Sequence, residues 1–400
     1  MLTLWLSAAA LRMTILALPP LLPAIHRDLG LQETLVGVLS ALPVLLLAVA
    51  AVSGSLLVVR VGARRALILG LSLVAGAGAL RGAGTTTPVL FLMTLLMGVG
   101  VAVSQPTLPT LTREWFPRRS TLATAVYSNG FLFGEIVAAA LTVPLVLPLV
   151  HGSWQLAFSF WSVPVALTAV ALWLGTSHRA RDVEAPQMQW WPNWRSARTW
   201  RLGLILGCAS ASYFGSNAFL PDYLRATHHG NLIAAALTSI NLSQLPASLV
   251  AAAFSGVMVA RRWPVLVAGV LTITAAAGFL LGGVWVVVFA GVLGFSTATI
   301  FVLTIALPPL LVGQHDVHRL SAAIFTITYS CPFVISLVGG AAWDATGLPY
   351  TAFLPIGATG FLMIGLVLGL DLSPAQEGSR GVIAQVGNEP SRRLAGGDGR

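Results

Sequence analysis

The chain has 400 residues, of which 56% are hydrophobic and only 9% charged, and its mean hydropathy is +0.85. A soluble domain of this length carries about 25% Asp, Glu, Lys and Arg to face water, so these values exclude a water-soluble globular protein and predict one embedded in lipid. The formal net charge of +9 would suit a nucleic-acid partner, but the basic residues sit in short clusters between long apolar runs, which argues for topology signals and no nucleic acid.

A membrane-spanning helix needs about 20 mostly apolar residues. Runs of this kind follow in order over Leu2 to Ile25, Leu35 to Val59, Ala66 to Leu80, Val89 to Leu111, Thr121 to Leu147 and Ser153 to Leu174. A second set covers Leu202 to Leu224, Leu232 to Ala260, Val265 to Leu281, Val284 to Leu311, Leu320 to Ala345 and Tyr350 to Leu370. The first run lacks a basic leader and a small-residue cleavage site, so it is expected to be a retained span. The polar stretch from Thr176 to Trp200, with Trp190, Trp191, Trp194 and Trp200 among arginines, reads as an amphipathic linker on the membrane face. The Gly-, Ser- and Arg-rich tail after Asp371 is expected to be disordered. The expected division is a six-helix bundle over 1–175, a cytoplasmic linker over 176–200, a second bundle over 201–370 and a tail over 371–400.

All 22 basic residues are arginines, and outside the first span they alternate between loops. Eighteen lie on one side, including Arg60, Arg64, Arg65, Arg113, Arg262 and Arg319, and only Arg27, Arg81 and Arg225 on the other. The positive-inside rule then places both termini in the cytoplasm of a bacterial cell, with the protein in its inner membrane.

The two sets repeat. Leu18-Pro19 matches Leu220-Pro221, Ser53-Gly54 matches Ser255-Gly256, and Tyr127-Ser128-x-x-Phe131 matches Tyr329-Ser330-x-x-Phe333, each 202 residues apart. Leu108-Pro109 and Leu307-Pro308 follow 199 apart. The repeat predicts an all-α membrane protein of about twelve helices in two pseudo-symmetric six-helix bundles, with a pathway between them.

Arg12 lies halfway along the first span, where a charge costs roughly 2.5 to 3.5 kcal/mol. Its guanidinium fork suits an oxyanion or another small polar solute; the competing reading is a fixed internal salt bridge. Glu135 is the one carboxylate deep in a span, after Gly130 and Gly134 in a spacing that lets helices approach closely. It is either the counter-ion of Arg12 or a proton carrier. Position 214, the repeat partner of Arg12, is Phe214, so the charge is asymmetric between halves. Gln105, Asn129, Tyr213, Asn217, Asn241 and Gln244 are candidates to complete a solute site, while Asp222 and Asp344 fall near helix ends that solvent can reach. The spacing of the histidines and of Cys208 and Cys331 suggests no metal site or disulfide. No cofactor is implied. There is no GxxxxGK[ST] loop for ATP and no polar cluster suited to an enzyme or sensor.

The loop Ser55-x-Leu57-x-Val59-Arg60-x-Gly62-Ala63-Arg64-Arg65 is similar to the signature between helices two and three of the major facilitator superfamily. Val59 stands where that signature has aspartate, so its charge latch does not carry over. Within the superfamily, Arg12, the run Leu18-Pro19-Pro20-Leu21-Leu22-Pro23, Ala41-Leu42-Pro43, Gln105-x-x-Leu108-Pro109 and Leu220-Pro221 resemble the cyanate and 2-nitroimidazole transporter family. The resemblance implies a solute-binding role for Arg12. Glu135 stands where that family is expected to have a small residue, and Gly134-Glu135 departs from the Gly-Pro signature of proton-coupled drug exporters.

These readings converge on a monomeric secondary transporter, not an enzyme, that takes up a small anion such as cyanate or a compact polar solute, with protons as the candidate coupling ion. Export of nitroimidazole-like compounds is the alternative. The arginine split carries its own test: alkaline phosphatase inserted after Leu31 is expected to be active and green fluorescent protein at the C-terminus fluorescent, and the opposite pair would reverse the topology.

Overall fold

The computed structural model describes residues 1–83, 86–175, 194–259, 261–312 and 317–370. The tail over 371–400 and most of the expected linker, 176–193, lie outside them. Among the described residues nine helices are long and apolar enough to cross a membrane, and Glu33–Val61, Ala197–Ala226 and Trp263–Phe279 bring the set to twelve. In chain order they are α1 (Leu2–Leu29), α2 (Glu33–Val61), α3 (Ala63–Leu80), α4 (Thr87–Trp115), α5 (Leu122–Leu149), α6 (Trp154–Gly175), α7 (Ala197–Ala226), α8 (Gly230–Ala251), α9 (Trp263–Phe279), α10 (Gly283–Ile305), α11 (Val317–Thr346) and α12 (Pro349–Leu368). α7 begins within the expected linker because Ser196 caps it, its side chain accepting from the Thr199 amide.

Packing follows the sequence repeat. In the first half α1 packs on α5 and α6, α2 on α4, and α3 on α4 and α6; in the second α7 packs on α11 and α12, α8 on α10, and α9 on α10 and α12. The halves meet through α2 against α11 and α5 against α8, which exchange under the same repeat. Such regularity is expected of a chain whose backbone must satisfy itself within helices in lipid.

The helices break where prolines remove donors. α1 runs regularly to Leu16, then turns through a 3₁₀ segment at Pro19–Leu21. There the Leu18 amide bonds Ile15 O instead of Thr14 O. The Thr14 carbonyl thus freed accepts from Arg81 Nη2 at 2.9 Å. Arg81 was expected in a loop; it is instead buried, its guanidinium 4.2 Å above the Phe158 ring, because this orphaned carbonyl and the aromatic face hold it inside the first half. α4 breaks at Pro106, and α5 takes a π-helical turn over Thr142–Val146, around Pro144.

At the distal end, opposite the N-terminus, the halves are sewn together. Asp344 on α11 caps the start of α2 from the other half: its carboxylate accepts from the amides of Glu33 and Thr34, both at 2.9 Å, and from the Thr34 hydroxyl at 2.5 Å. Gly340 lies against the backbone of Glu33 and Thr34, and Gly37 against that of Ser336, so α2 and α11 touch main chain to main chain. Arg225 Nη1 donates to Pro23 O at 2.8 Å. At the proximal end arginines tie helices within each half, Arg64 to Leu172 O and Trp173 O, Arg201 to Gly369 O, and Arg262 to Leu370 O. Cations on the last carbonyls of a helix complement its dipole.

Gly130 and Gly134 act as their spacing suggests, resting on the α1 backbone at Trp5 and Ala9. A Cβ at Gly134 would press on Ala9 main-chain atoms, whereas one at Gly76 would meet nothing within 4 Å. Gly134→Ala is therefore expected to cost about 1–3 kcal/mol through forced backbone shifts, read as a lowered melting temperature in detergent, and Gly76→Ala to cost nothing.

Candidate functional site

The close approach of α1 and α5 determines what happens one residue on. With Gly134 against Ala9, Glu135 projects beside Arg12, a turn further along α1. Arg12 is 8% exposed and Glu135 5%. Arg12 Nε lies 3.4 Å from Glu135 Oε1, longer than the ~2.7–2.9 Å of a tight charge-assisted bond, and Nε makes no hydrogen bond among the described residues. The pair is held by proximity rather than by a bidentate fork. The guanidinium stands 5.1 Å from the centre of the Phe131 ring on α5, and the Tyr329 hydroxyl on α11 faces it.

The other oxygen of Glu135 belongs to the second half. Oε2 lies 3.2 Å from the Tyr213 hydroxyl on α7 and accepts from Gln244 Nε2 on α8, also at 3.2 Å. Tyr213 has a shorter bond to Asn241 Oδ1 at 2.6 Å. Asn241 is fixed in turn, its Nδ2 donating to Leu237 O at 2.7 Å and to Asn217 Oδ1 at 3.2 Å, while Asn217 donates to Tyr213 O. A phenol has one proton. When Tyr213 gives it to Asn241, its contact with Glu135 requires a proton on the carboxyl; when Glu135 is ionised, that proton must swing back. The arrangement has a place for either state of Glu135.

Six of the eight residues singled out from sequence thus come together: Arg12, Glu135, Tyr213, Asn217, Asn241 and Gln244. Gln105 joins at one remove, its Nε2 donating to Tyr329 at 3.4 Å. Asn129 does not join. It lies six residues before Glu135, roughly 120° around the helix, is exposed, and accepts from Trp5 Nε1 at 3.0 Å. Tyr329, not singled out from sequence as a site residue, faces the guanidinium; its signal was the repeat with Tyr127. An apolar groove of about 520 Å³ between α8, α9 and α10, lined by Val250, Phe254, Trp263 and Phe295 among others, holds no charged side chain and is separate from this cluster.

Of the two acids near helix ends, one differs from expectation. Asp344 is exposed as anticipated, but Asp222 is buried, because its position on α7 faces His26 and Glu33 of the first half.

Known proteins place this geometry in a family. The chain is 30% identical over 235 residues to the uncharacterized transporter YycB of Bacillus subtilis (strain 168), covering 58% of this chain and 57% of that protein. Over 243 residues it is 28% identical to the cyanate transport protein CynX of Escherichia coli (strain K12), covering 58% and 62%. Against the 2-nitroimidazole transporter of the same organism it is 29% identical over 221 residues, covering 54% and 55%. The chain therefore matches less than two thirds of the length of these relatives. In fold it is similar to the crystal structures of the nucleoside transporter NupG, at a TM-score of 0.74, 12% identity and coverage of 92% of this chain and 98% of that one, and of a D-xylose-proton symporter, at 0.73, 12%, 92% and 96%. The Major Facilitator Superfamily profile matches residues 4–336, and with twelve helices in two repeated halves around a buried polar cluster, the chain belongs to that superfamily of membrane transporters.

Proposed function

We propose that this transporter takes up a small anion of the cyanate kind in symport with protons, across a bacterial inner membrane, by alternating exposure of the Arg12 site. The supporting observation is that one carboxylate, Glu135, is shared between the guanidinium of the first half and the donors of the second. An anion entering beside Arg12 competes with Glu135 for the cation. Displaced from its counter-ion in a buried site, Glu135 is stabilised by taking a proton, and its contacts with Tyr213 and Gln244 then change character. Solute, proton and the relation between the halves are linked through one side chain. A compact anion suits a site with a planar cation flanked by Tyr213, Gln244 and Tyr329, and the similarity to a cyanate transport protein supports that reading. In this reading the protein works as a monomer with both termini cytoplasmic, its bundles are 1–175 and 201–370, and the distal seam faces outward.

The resemblance to a 2-nitroimidazole transporter supports a second reading, export of such compounds. Expression in a sensitised host separates them, since only an exporter raises resistance.

Uptake of labelled cyanate into proteoliposomes, with and without an imposed pH gradient, tests the proposal. Arg12→Gln removes the charged donor, and hydrogen bonds to charged groups contribute about 1.5–3 kcal/mol, so uptake is expected to fall about 10- to 100-fold with insertion unchanged. Normal uptake by this variant would remove Arg12 from the site. Glu135→Gln is expected to keep cyanate exchange between equal pools while losing stimulation by the gradient; stimulation that persists would assign the proton elsewhere.

Tyr213→Phe and Gln244→Leu each delete one second-half contact to Glu135. Both are expected to shift the pH dependence of uptake while leaving binding of the anion within a few-fold of wild type. An unchanged pH profile in both would show that Glu135 is not coupled through them.

A further inference from the structure

At the distal end His26 of α1, Glu33 of α2 and Asp222 of α7 each turn one atom toward a common point, and these atoms all lie within 4.8 Å of one another. His26 Nδ1 stands 3.4 Å from Glu33 Oε1 and 3.8 Å from Asp222 Oδ2. Glu33 and Asp222 are each 6% exposed. His26 Nδ1, Glu33 Oε2 and Asp222 Oδ2 are buried without a hydrogen-bond partner among the described residues. His26 Nδ1 donates or accepts according to its protonation, but buried carboxylate oxygens that make no hydrogen bond are costly, and each asks for an explanation.

Neighbouring groups do not supply one. Arg225 is committed to Pro23 O, Arg27 pairs with Asp28 at 3.5 Å, and the oxygens of Asp344 are taken up by the amides and hydroxyl at the start of α2. Two buried carboxyl groups from opposite halves and one imidazole are thus left facing one another, with the Asp344 carboxylate just behind them.

We propose that His26, Glu33 and Asp222 bind a divalent transition-metal ion of the zinc class, bridging the two halves of the transporter. One imidazole nitrogen and two carboxylate oxygens, with water in the fourth position, form a ligand set that zinc accepts. Bonds of about 2.0–2.2 Å set tetrahedral ligand atoms roughly 3.3–3.5 Å apart, close to the separations that His26 makes with the two acids. Calcium and magnesium prefer more oxygen ligands, and the imidazole selects against them. The His26 side chain is 34% exposed, which gives an ion a way in from the distal surface. Because two ligands come from the first half and one from the second, the ion closes a bond that must break whenever the distal end opens. The site is independent of Arg12 and of the solute carried.

The test uses purified, chelator-treated wild-type protein without a histidine tag, titrated with Zn²⁺ by calorimetry and with Co²⁺ by visible absorption. The expected result is one ion per chain, a Zn²⁺-dependent rise in melting temperature, intense d–d bands of four-coordinate Co²⁺, and no comparable response to Mg²⁺ or Ca²⁺. His26→Ala, Glu33→Gln and Asp222→Asn are each expected to weaken binding at least about 10- to 100-fold, the range seen even for the outer-shell partners of metal ligands. Glu114→Gln, near the C-terminal end of α4 and away from this cluster, and Arg12→Gln are expected to bind as wild type, so a failed solute assignment leaves this outcome untouched. Absence of stoichiometric binding, the weak bands of six-coordinate Co²⁺ in the wild type, or binding that survives all three substitutions would overturn the proposal. The wild-type Co²⁺ spectrum decides even if a variant fails to fold.

Discussion

A single buried ion pair between Arg12 and Glu135 organises the middle of this protein. A lone arginine at that depth is expensive, and a lone glutamate is no better placed. Their proximity is achieved by shape, since Ala8 and Ala9 on α1 and Gly130 and Gly134 on α5 carry too little side chain to hold the helices apart. Small residues at helix contacts are the usual means of close approach in lipid, where no hydrophobic force drives helices together. The pair is close enough to cancel charge, yet its 3.4 Å separation is longer than a tight charge-assisted bond.

Symmetry and its violation have separate tasks here. Helix contacts repeat between halves, and so do the arginines that anchor α6 and α12 at the proximal end. The charges at mid-depth do not repeat. Phe214 occupies the position that corresponds to Arg12, and the second half answers with neutral polar groups: Tyr213, Gln244, Asn241 and Tyr329. In the proposed transport cycle, a frame of two equivalent parts moves as two bodies, and polar asymmetry lets the solute favour one arrangement over the other.

Much of this was legible in the sequence, for physical reasons. Lipid demands long apolar runs, so twelve spans declare themselves; a charged residue inside one must have a partner, so Arg12 and Glu135 draw attention to each other. Rotation about a helix axis is less visible. Asn129 looked as plausible as Gln244, and only packing against Trp5 turned it away. Asp222 appeared to sit at a solvent-reachable helix end and Arg81 in a loop because hydropathy reports depth along a helix and not which way a side chain points. The grouping of His26, Glu33 and Asp222 joins residues up to 196 positions apart and crosses both halves, so no local spacing announces it. Pro106 and Pro144 were visible as letters, but the π-turn that accommodates Pro144 is a response of the backbone to its surroundings.

The cap that Asp344 places on α2 has a consequence for the proposed alternation of access. The leading amides of any helix need an acceptor, and here the acceptor belongs to the opposite half. Whenever the distal seam parts, the Glu33 and Thr34 amides exchange a fixed carboxylate for water, and the first turn of α2 loses the anchor that holds it wound. In the proposed cycle, fraying of that turn keeps time with each opening of the distal seam, and gives the distally open state extra entropy to set against the bonds it has lost.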